Sequence, residues 1–450
     1  MLDADSSPSF SPPETSPRLV SLDAYRGFIM LAMASSGFLV ARVVNNNADL
    51  QDNSIWRFLA YQLDHVKWTG CSFWDLIQPS FMFMVGVAIP YSYASRKAKG
   101  DSEGRIFSHA LVRSLILICL GVLLSSNYER TTHFTFVNVL SQIGMGYVFV
   151  YLLRGKGIFV QGLALVTILG GYWYLFYQHP LPGPNFDFHA VKVSQQERFP
   201  GLYAHWTKNA NFAADQDLQF LNLFRRSEPL RFKLFGREWE SQLLLRTDPE
   251  NPNRPDPFRY NEGGYQTLNF VPSMATMIFG LMAGELLRGS RKPGSKRNLL
   301  ICAGLLCLGA GLLMDYSIWP DAIYVPDVDT SSAAVSLFHV CPIVKRIWSP
   351  TWAVFSAGWT FLMLAGFYWI IDICGYRRWA FFLIVVGMNS IAIYCMSQLS
   401  RGWIRQTLKT HFGQNIFTGT YGPIVESIAI LLVLWLVSWW MYRKKIFVRI

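Results

Sequence analysis

Long apolar runs separated by short polar connections dominate the chain, and their spacing predicts ten membrane-spanning helices. The first begins near Tyr25. The others fall at about 72–95, 106–126, 134–153, 158–178, 267–287, 298–314, 350–373, 380–398 and 423–442. Close to twenty mainly apolar residues is the length needed to cross a hydrocarbon core of about 30 Å. The expected fold class is an all-α polytopic membrane protein with both termini cytoplasmic and a small extracytoplasmic insert. A shorter amphipathic stretch, SIWRFLAYQL at 54–63, reads as a helix lying at the interface. Residues 179–265 are polar and much too long for a simple connection. Within them LRFKLFGREWESQLLLR alternates apolar and polar positions around Gly236, which predicts a β-hairpin. The division that follows is a disordered tail at 1–17, spans one to five at 18–178, an insert or cap at 179–265 and spans six to ten at 266–450.

With 52% hydrophobic and only 15% charged residues in 450, the chain is neither an ordinary soluble enzyme nor a disordered protein. The tail is rich in Ser, Pro and acidic side chains and carries no apolar core before Arg18, so it is not read as a signal peptide. The net charge of +11 sits in clusters at the ends of apolar runs: Arg96, Lys97, Lys99 and Arg105; Arg288, Arg291, Lys292, Lys296 and Arg297; Arg377 and Arg378; Arg443, Lys444, Lys445 and Arg449. A cytoplasmic N-terminus puts every one of these clusters inside. It puts the insert and the acidic loop with Asp315, Asp321, Asp327 and Asp329 outside, as the positive-inside rule requires. That distribution writes membrane topology and argues against a nucleic-acid partner. Five of the seven cysteines (Cys119, Cys302, Cys307, Cys374 and Cys395) lie in apolar runs, and no Cys/His spacing suggests a metal. The absence of any N-x-S/T sequon fits a bacterial inner-membrane protein.

Candidate chemistry concentrates just before the second run, in DHVKWTGCSFWD at 64–75. His65 sits there at the outer membrane boundary, and an unperturbed imidazole pKa of about 6.5 lets it take or give a proton at ordinary pH. Asp64 and Asp75 are near enough in sequence to orient the ring, although Asp75 is equally placed to cap its own helix; Trp68 and Gly70 shape a turn. Asp23 and Arg26, three apart, share a helical face, either as an ion pair or as a site for an anionic cofactor. Arg113, inside the third run, needs a cavity or partner because a charge there costs about 2.5–3.5 kcal/mol. Asn138, Gln142 and Asn389 are buried polar residues that either bond between helices or line a tunnel with His65.

These segments resemble the heparan-α-glucosaminide N-acetyltransferase family. The resemblance rests on SLDAYRG, HVKWTGCSFWDLIQPSFMFMVG, RSLILICLG, NVLSQIGMGY, YNEGGYQTLNFVPSMATMIFGLMAG, PIVKRIWSPTWAVFSAGW and RRWAFFLIVVGMNSIAIY, in that order; the tail and the insert lie outside it. It implies acetyl-CoA bound as co-substrate from the cytoplasmic side and an acetyl group passed to an amino sugar on the far side. It also implies a catalytic histidine in an H-x-x-W-x-G motif that His65, Trp68 and Gly70 match. Substrate contacts are expected from Trp68, Asn261 and Glu262, and donor contacts from Asp23, Arg26, Arg113, Asn138, Gln142 and Asn389. Three positions depart from the family: Ser35, Ser36 and Gly37 stand near an expected asparagine, Val344 stands in place of the asparagine of P-I-N-K, and Asn261 replaces an aspartate.

The reading is a membrane acyltransferase that acetylates an amine or hydroxyl of an extracytoplasmic sugar or glycan. His65 acts as general base or as transient acetyl carrier, and a homodimer is left open. The rival is a transporter or flippase for an anionic glycan or lipid, or a non-catalytic scaffold of the same fold. No internal repeat of the transporter kind is visible in the chain.

Overall fold

The computed structural model describes residues 19–247, 251, 253–315 and 340–448. The expected tail at 1–17, together with Asp321, Asp327, Asp329 and Arg449, lies outside the described residues. Helix α1, Val20–Ser35, opens the bundle. Three short helices follow, α2 Val40–Asn45, α3 Ala48–Gln51 and α4 Ser54–Gln62, and then α5 Ile77–Ala98, α6 Glu103–Ser125, α7 Val139–Leu152 and α8 Gly157–Gln178. The insert carries α9, Phe212–Asn222, and the expected hairpin. Its strands β1 Leu230–Leu234 and β2 Arg237–Ser241 pair antiparallel, with Phe232 opposite Trp239. The second half runs α10 Phe270–Arg288, α11 Pro293–Met314, α12 Pro350–Phe367, α13 Phe381–Gly387, α14 Ser390–Leu399, α15 Arg401–Phe412 and α16 Gly422–Arg443.

Among the described residues, seven helical stretches are long and apolar enough to cross a membrane, the first of them Val20–Asn45 counted across the turn between α1 and α2, and α13 with α14, bent by 67° at Met388–Asn389, make an eighth if they count as one span. The two remaining members of the expected ten are α5, which has the length but mixes Ser, Pro and Tyr into its apolar face, and α7, which is short. At about 1.5 Å per residue the 14 residues of α7 advance only about 21 Å. Its expected start at 134 moves to Val139 because Asn138 caps the helix, its side chain accepting from the Leu140 N–H.

Close helix contacts run through small residues, the usual device where no water drives apolar surfaces together. A Cβ on Gly280 would meet the Phe83 carbonyl oxygen at 1.9 Å, and one on Gly86 the Met277 oxygen at 1.9 Å, so α5 and α10 pack backbone to backbone. Gly27 and Gly387 do the same for α1 and α13. Through these contacts the C-terminal end of α1 and the N-terminal ends of α5, α7 and α12 meet at one face of the bundle. The basic ends of α5, α7 and α10 meet at the other.

The first apolar run is not one helix. Ser36, Gly37, Phe38 and Leu39 all have positive φ, between 50° and 64°, so α1 stops at Ser35 and α2 leaves in a new direction. Each non-glycine residue held there costs of order 1–3 kcal/mol, and the surroundings hold the turn. Arg401 donates to the Ala34 carbonyl and to Ser36 Oγ, Ser427 donates to the Ser35 carbonyl, and the Leu63 oxygen fills the space a Cβ on Gly37 would need.

Candidate active site

The loop before α5 builds a histidine site from a capping sequence. Ser72-Phe-Trp-Asp75 has the S-x-x-D form, and the two side chains answer each other across the start of the helix. Ser72 Oγ donates to Asp75 Oδ2 at 2.9 Å, the Asp75 N–H points to Ser72 Oγ at 3.3 Å, and the Ser72 and Val66 N–H groups also donate to Oδ2. The other carboxylate oxygen, Oδ1, lies 2.7 Å from His65 Nδ1. Asp75 therefore caps its helix with one oxygen and orients the imidazole with the other.

A third charged group completes the cluster. Lys345 arrives from the segment before α12, where Thr69 bridges to Val344 and the Gly70 N–H donates to the Ile343 carbonyl, in a backbone position with φ of 104° that glycine adopts readily. Its Nζ lies 3.2 Å from Asp75 Oδ1 and 3.0 Å from His65 Nδ1, and the side chain is 3% exposed. Burial pushes the Asp75 carboxyl up; the Lys345 ammonium, the His65 hydrogen bond and charge, and the Val66 N–H outweigh it and hold that carboxyl well below the usual carboxylate range. A carboxylate only accepts, so the shorter contact, to Asp75 at 2.7 Å, assigns the imidazole proton to Nδ1 and leaves the Nε2 lone pair available; Lys345, 3.0 Å from the same nitrogen, then donates to Asp75 Oδ1 and not to the ring. The His65 side chain keeps 38% exposure, against 1% for Asp75, so its ring remains reachable.

That opening is a cavity of about 510 Å³. Met33 and Ser36 from the end of α1, Asp64 and His65, Asn138 at the start of α7, and Tyr394 of α14 are among its lining residues, with Tyr265 and Lys345 closing it. A second cavity, of about 600 Å³, lies at the other end of α5, lined by Pro90, Tyr93, Arg154, Gly155, Lys156, Glu285, Arg288 and Gly289. From Ile77 to Tyr93, α5 advances about 24 Å between them.

The expected site residues divide. His65, Asp64 and Asn138 line the first cavity, and Asp75 backs it. Asp64 acts on the loop itself: its Oδ1 accepts the His65 N–H at 2.8 Å, and its carbonyl, 2.6 Å from Ser72 Oγ, competes with Asp75 for that hydroxyl's one proton. Trp68 lines neither cavity. It is 2% exposed, donates to the Trp206 carbonyl and packs with Tyr172, Phe176 and Trp206 beneath the cap. Asn261 shapes the adjacent loop, its Oδ1 accepting from the Gly263 and Tyr265 N–H groups, and so sets Tyr265 into the cavity wall. Glu262 points outward to an exposed pair with Lys192. Gln142 donates to the Phe136 and Thr267 carbonyls, and Arg113 lies over the Tyr147 ring. Asn389 sits at the α13–α14 break and bonds the returning C-terminal segment at Ile446 and Val448. Asp23, buried, and Arg26, half-buried, lie in the first turns of α1; neither they nor Arg113, Gln142 and Asn389 line the two cavities.

Sequence reasoning missed Lys345, Ser72 and Tyr394. A Lys345–Arg346 pair embedded in the otherwise apolar CPIVKRIW stretch, and the S-x-x-D spacing, were the available signals for the first two.

A helical membrane bundle that holds a His–Asp–Lys cluster on the wall of a cavity defines the class: a polytopic membrane protein with a clustered set of ionisable side chains at a cavity. No family model matches the chain. Two curated relatives do. The chain is similar to the heparan-alpha-glucosaminide N-acetyltransferase of Homo sapiens, 24% identical over 472 aligned residues covering 96% of this chain, and to that of Mus musculus, 23% identical over 471 residues with the same coverage. It thus groups with the heparan-alpha-glucosaminide N-acetyltransferase-like proteins, the family its motifs resemble. The chain spans about 60% of the length of these relatives.

Proposed function

We propose that the protein transfers an acetyl group from cytoplasmic acetyl-CoA to an amine or hydroxyl of an extracytoplasmic sugar or glycan, from a bacterial inner membrane. The observation that carries this reading is the His65–Asp75 contact at 2.7 Å on the wall of a cavity large enough for a small acceptor. A thioester already has a good leaving group, so the protein has to bring acceptor and carbonyl together and take the acceptor's proton. His65 Nε2 takes it, with Asp75 holding the ring and stabilising the imidazolium; general-base assistance of this kind contributes about 10²–10⁴-fold. His65 as a transient acetyl carrier uses the same nitrogen.

The donor side is supported by the second cavity. Arg154, Lys156 and Arg288 converge there with Tyr93, a set suited to phosphates and a nucleotide, and the Lys/Arg distribution supports a cytoplasmic placement of that end. The donor contacts expected from Asp23, Arg26, Arg113 and Asn389 are replaced in this reading by that basic set.

The test uses the full chain in sealed vesicles. [Acetyl-¹⁴C]acetyl-CoA is supplied on the cytoplasmic face and glucosamine on the other, for wild type and His65→Ala. Transfer by the wild type that is lost in a folded variant supports the reading. A wild type that neither moves label nor binds acetyl-CoA turns it toward transport or scaffolding.

A further inference from the structure

Acyl transfer passes through a tetrahedral species whose carbonyl oxygen becomes an anion, and a donor already aimed at that oxygen is usually the largest single contribution to the rate. In the acid–base cluster Asp75 only accepts, and the Lys345 ammonium is held against that carboxylate, its Nζ 3.2 Å from Oδ1.

Resting on the transferase reading above, we propose that Asn138 is the oxyanion donor of this site. Its amide orientation is fixed by chemistry. Oδ1 accepts the Leu140 backbone N–H at 2.9 Å, and that group can only donate, so the oxygen must face it. The Tyr394 hydroxyl lies 3.4 Å from the same oxygen, reaching across from α14. With the oxygen engaged twice, both N–H bonds of the amide nitrogen are left to point away from the helix start. No protein acceptor is recorded for them among the described residues. Asn138 lines the cavity that contains His65. Its position as N-cap of α7, Val139–Leu152, adds the positive end of a helix dipole behind the same nitrogen.

The step balances with the groups present. The acceptor nitrogen or oxygen forms a bond to the acetyl carbon as its proton moves to His65 Nε2, and the C=O π pair moves onto oxygen, where the Asn138 amide N–H donates to it. That pair then returns, the C–S bond breaks with its electrons on sulfur, and the proton on His65 neutralises the leaving thiolate. Tyr394 is a positioning residue: it touches no reacting atom and keeps the amide from turning.

Replacing the amide without losing the cap isolates the role, since Ser and Asp are both good N-caps. Asn138→Ser and Asn138→Asp, in full-length protein reconstituted in vesicles, are assayed with acetyl-CoA and glucosamine. The expected result is a loss in kcat on the order of 10²–10³-fold for both. KM for each substrate stays within about threefold, and acetyl-CoA binding is unchanged. Tyr394→Phe should give a smaller kcat loss, again with KM kept. A rise in KM with kcat preserved makes Asn138 a binding residue and overturns the inference, as does wild-type kcat in either cap-preserving variant. These failures leave wild-type transfer and its loss in His65→Ala intact, whereas absence of wild-type transfer removes the transferase reading itself.

Discussion

Lys345 Nζ lies 3.0 Å from Nδ1 of His65 although 280 residues of chain separate them, and Asp75 Oδ1 lies within 3.2 Å of both. Three ionisable groups thus share one small volume with no net charge when the imidazole is neutral. Removing the lysine leaves a carboxylate that is 1% exposed with one charged partner fewer, and breaking such a buried pair costs about 3–5 kcal/mol.

The pH dependence of that cluster has a definite sign. Asp75 is held below its ordinary value of 3.8, so the stability it contributes is present above about pH 4 and is lost as pH falls through the lower, folded value. In Lys345→Ala a main cause of that depression is gone and the carboxyl protonates sooner. Thermal unfolding of the solubilised protein from pH 3 to 7 should therefore show the variant less stable at pH 7 but losing less further stability on acidification than the wild type. Parallel curves for the two proteins would separate Lys345 from Asp75 energetically.

Asp75→Asn keeps the shape of the capping box and removes the charge behind the imidazole. Transfer should fall on the order of 10²–10⁴-fold in kcat with acetyl-CoA binding retained, because the asparagine no longer stabilises the protonated ring. Wild-type turnover in this variant would assign Asp75 to capping alone.

The local half of this site was legible in the sequence and the long-range half was not. His65, Ser72 and Asp75 belong to one twelve-residue segment, DHVKWTGCSFWD, so their proximity follows from covalent reach. Lys345 joins them only because the 341–348 segment pairs with Thr69 and Gly70, an association between distant segments that periodicity does not encode. Helix existence was readable from apolar run length, and the hairpin from its alternation about Gly236. The break at Ser36 was not, because FIMLAMASSGFLVARVV keeps its apolar character through four left-handed residues that Arg401 and Ser427 hold from the other end of the chain. Asn389 meets the same limit: a buried amide in an apolar helix signals a partner, and periodicity does not say that the partner is backbone at Ile446 and Val448.

Lys156, at the N-cap of α8, is an exposed member of the basic cavity at the far end of α5. If this cavity receives the donor's phosphates, Lys156→Ala should raise KM for acetyl-CoA by on the order of tenfold and leave kcat unchanged, the mark of uniform binding energy. The effect should shrink as ionic strength rises and the Debye length shortens. An unchanged KM at low salt would move the donor entrance elsewhere.

Asp217 offers a separate test of how the insert is fastened to the bundle. It lies on α9, is 2% exposed, and accepts the Thr267 N–H at the entrance to α10. Burial raises its carboxyl from 3.8 to about 6, and the Thr267 hydrogen bonds only partly offset that. The linkage is opposite to that of Asp75. A carboxyl raised on folding contributes fully below about pH 4, and the contribution is lost as pH rises through about 6, where the buried group must ionise. A shift of this size corresponds to about 3 kcal/mol between the two limits. Cleavage of the 179–265 segment by a broad-specificity protease, corrected for the protease's own pH profile, should accelerate as pH rises from 4 to 7 in the wild type. It should stay flat in Asp217→Asn, which retains an acceptor for the Thr267 N–H but carries no charge at any pH. The same step in both proteins would mean that another group governs the docking of the cap.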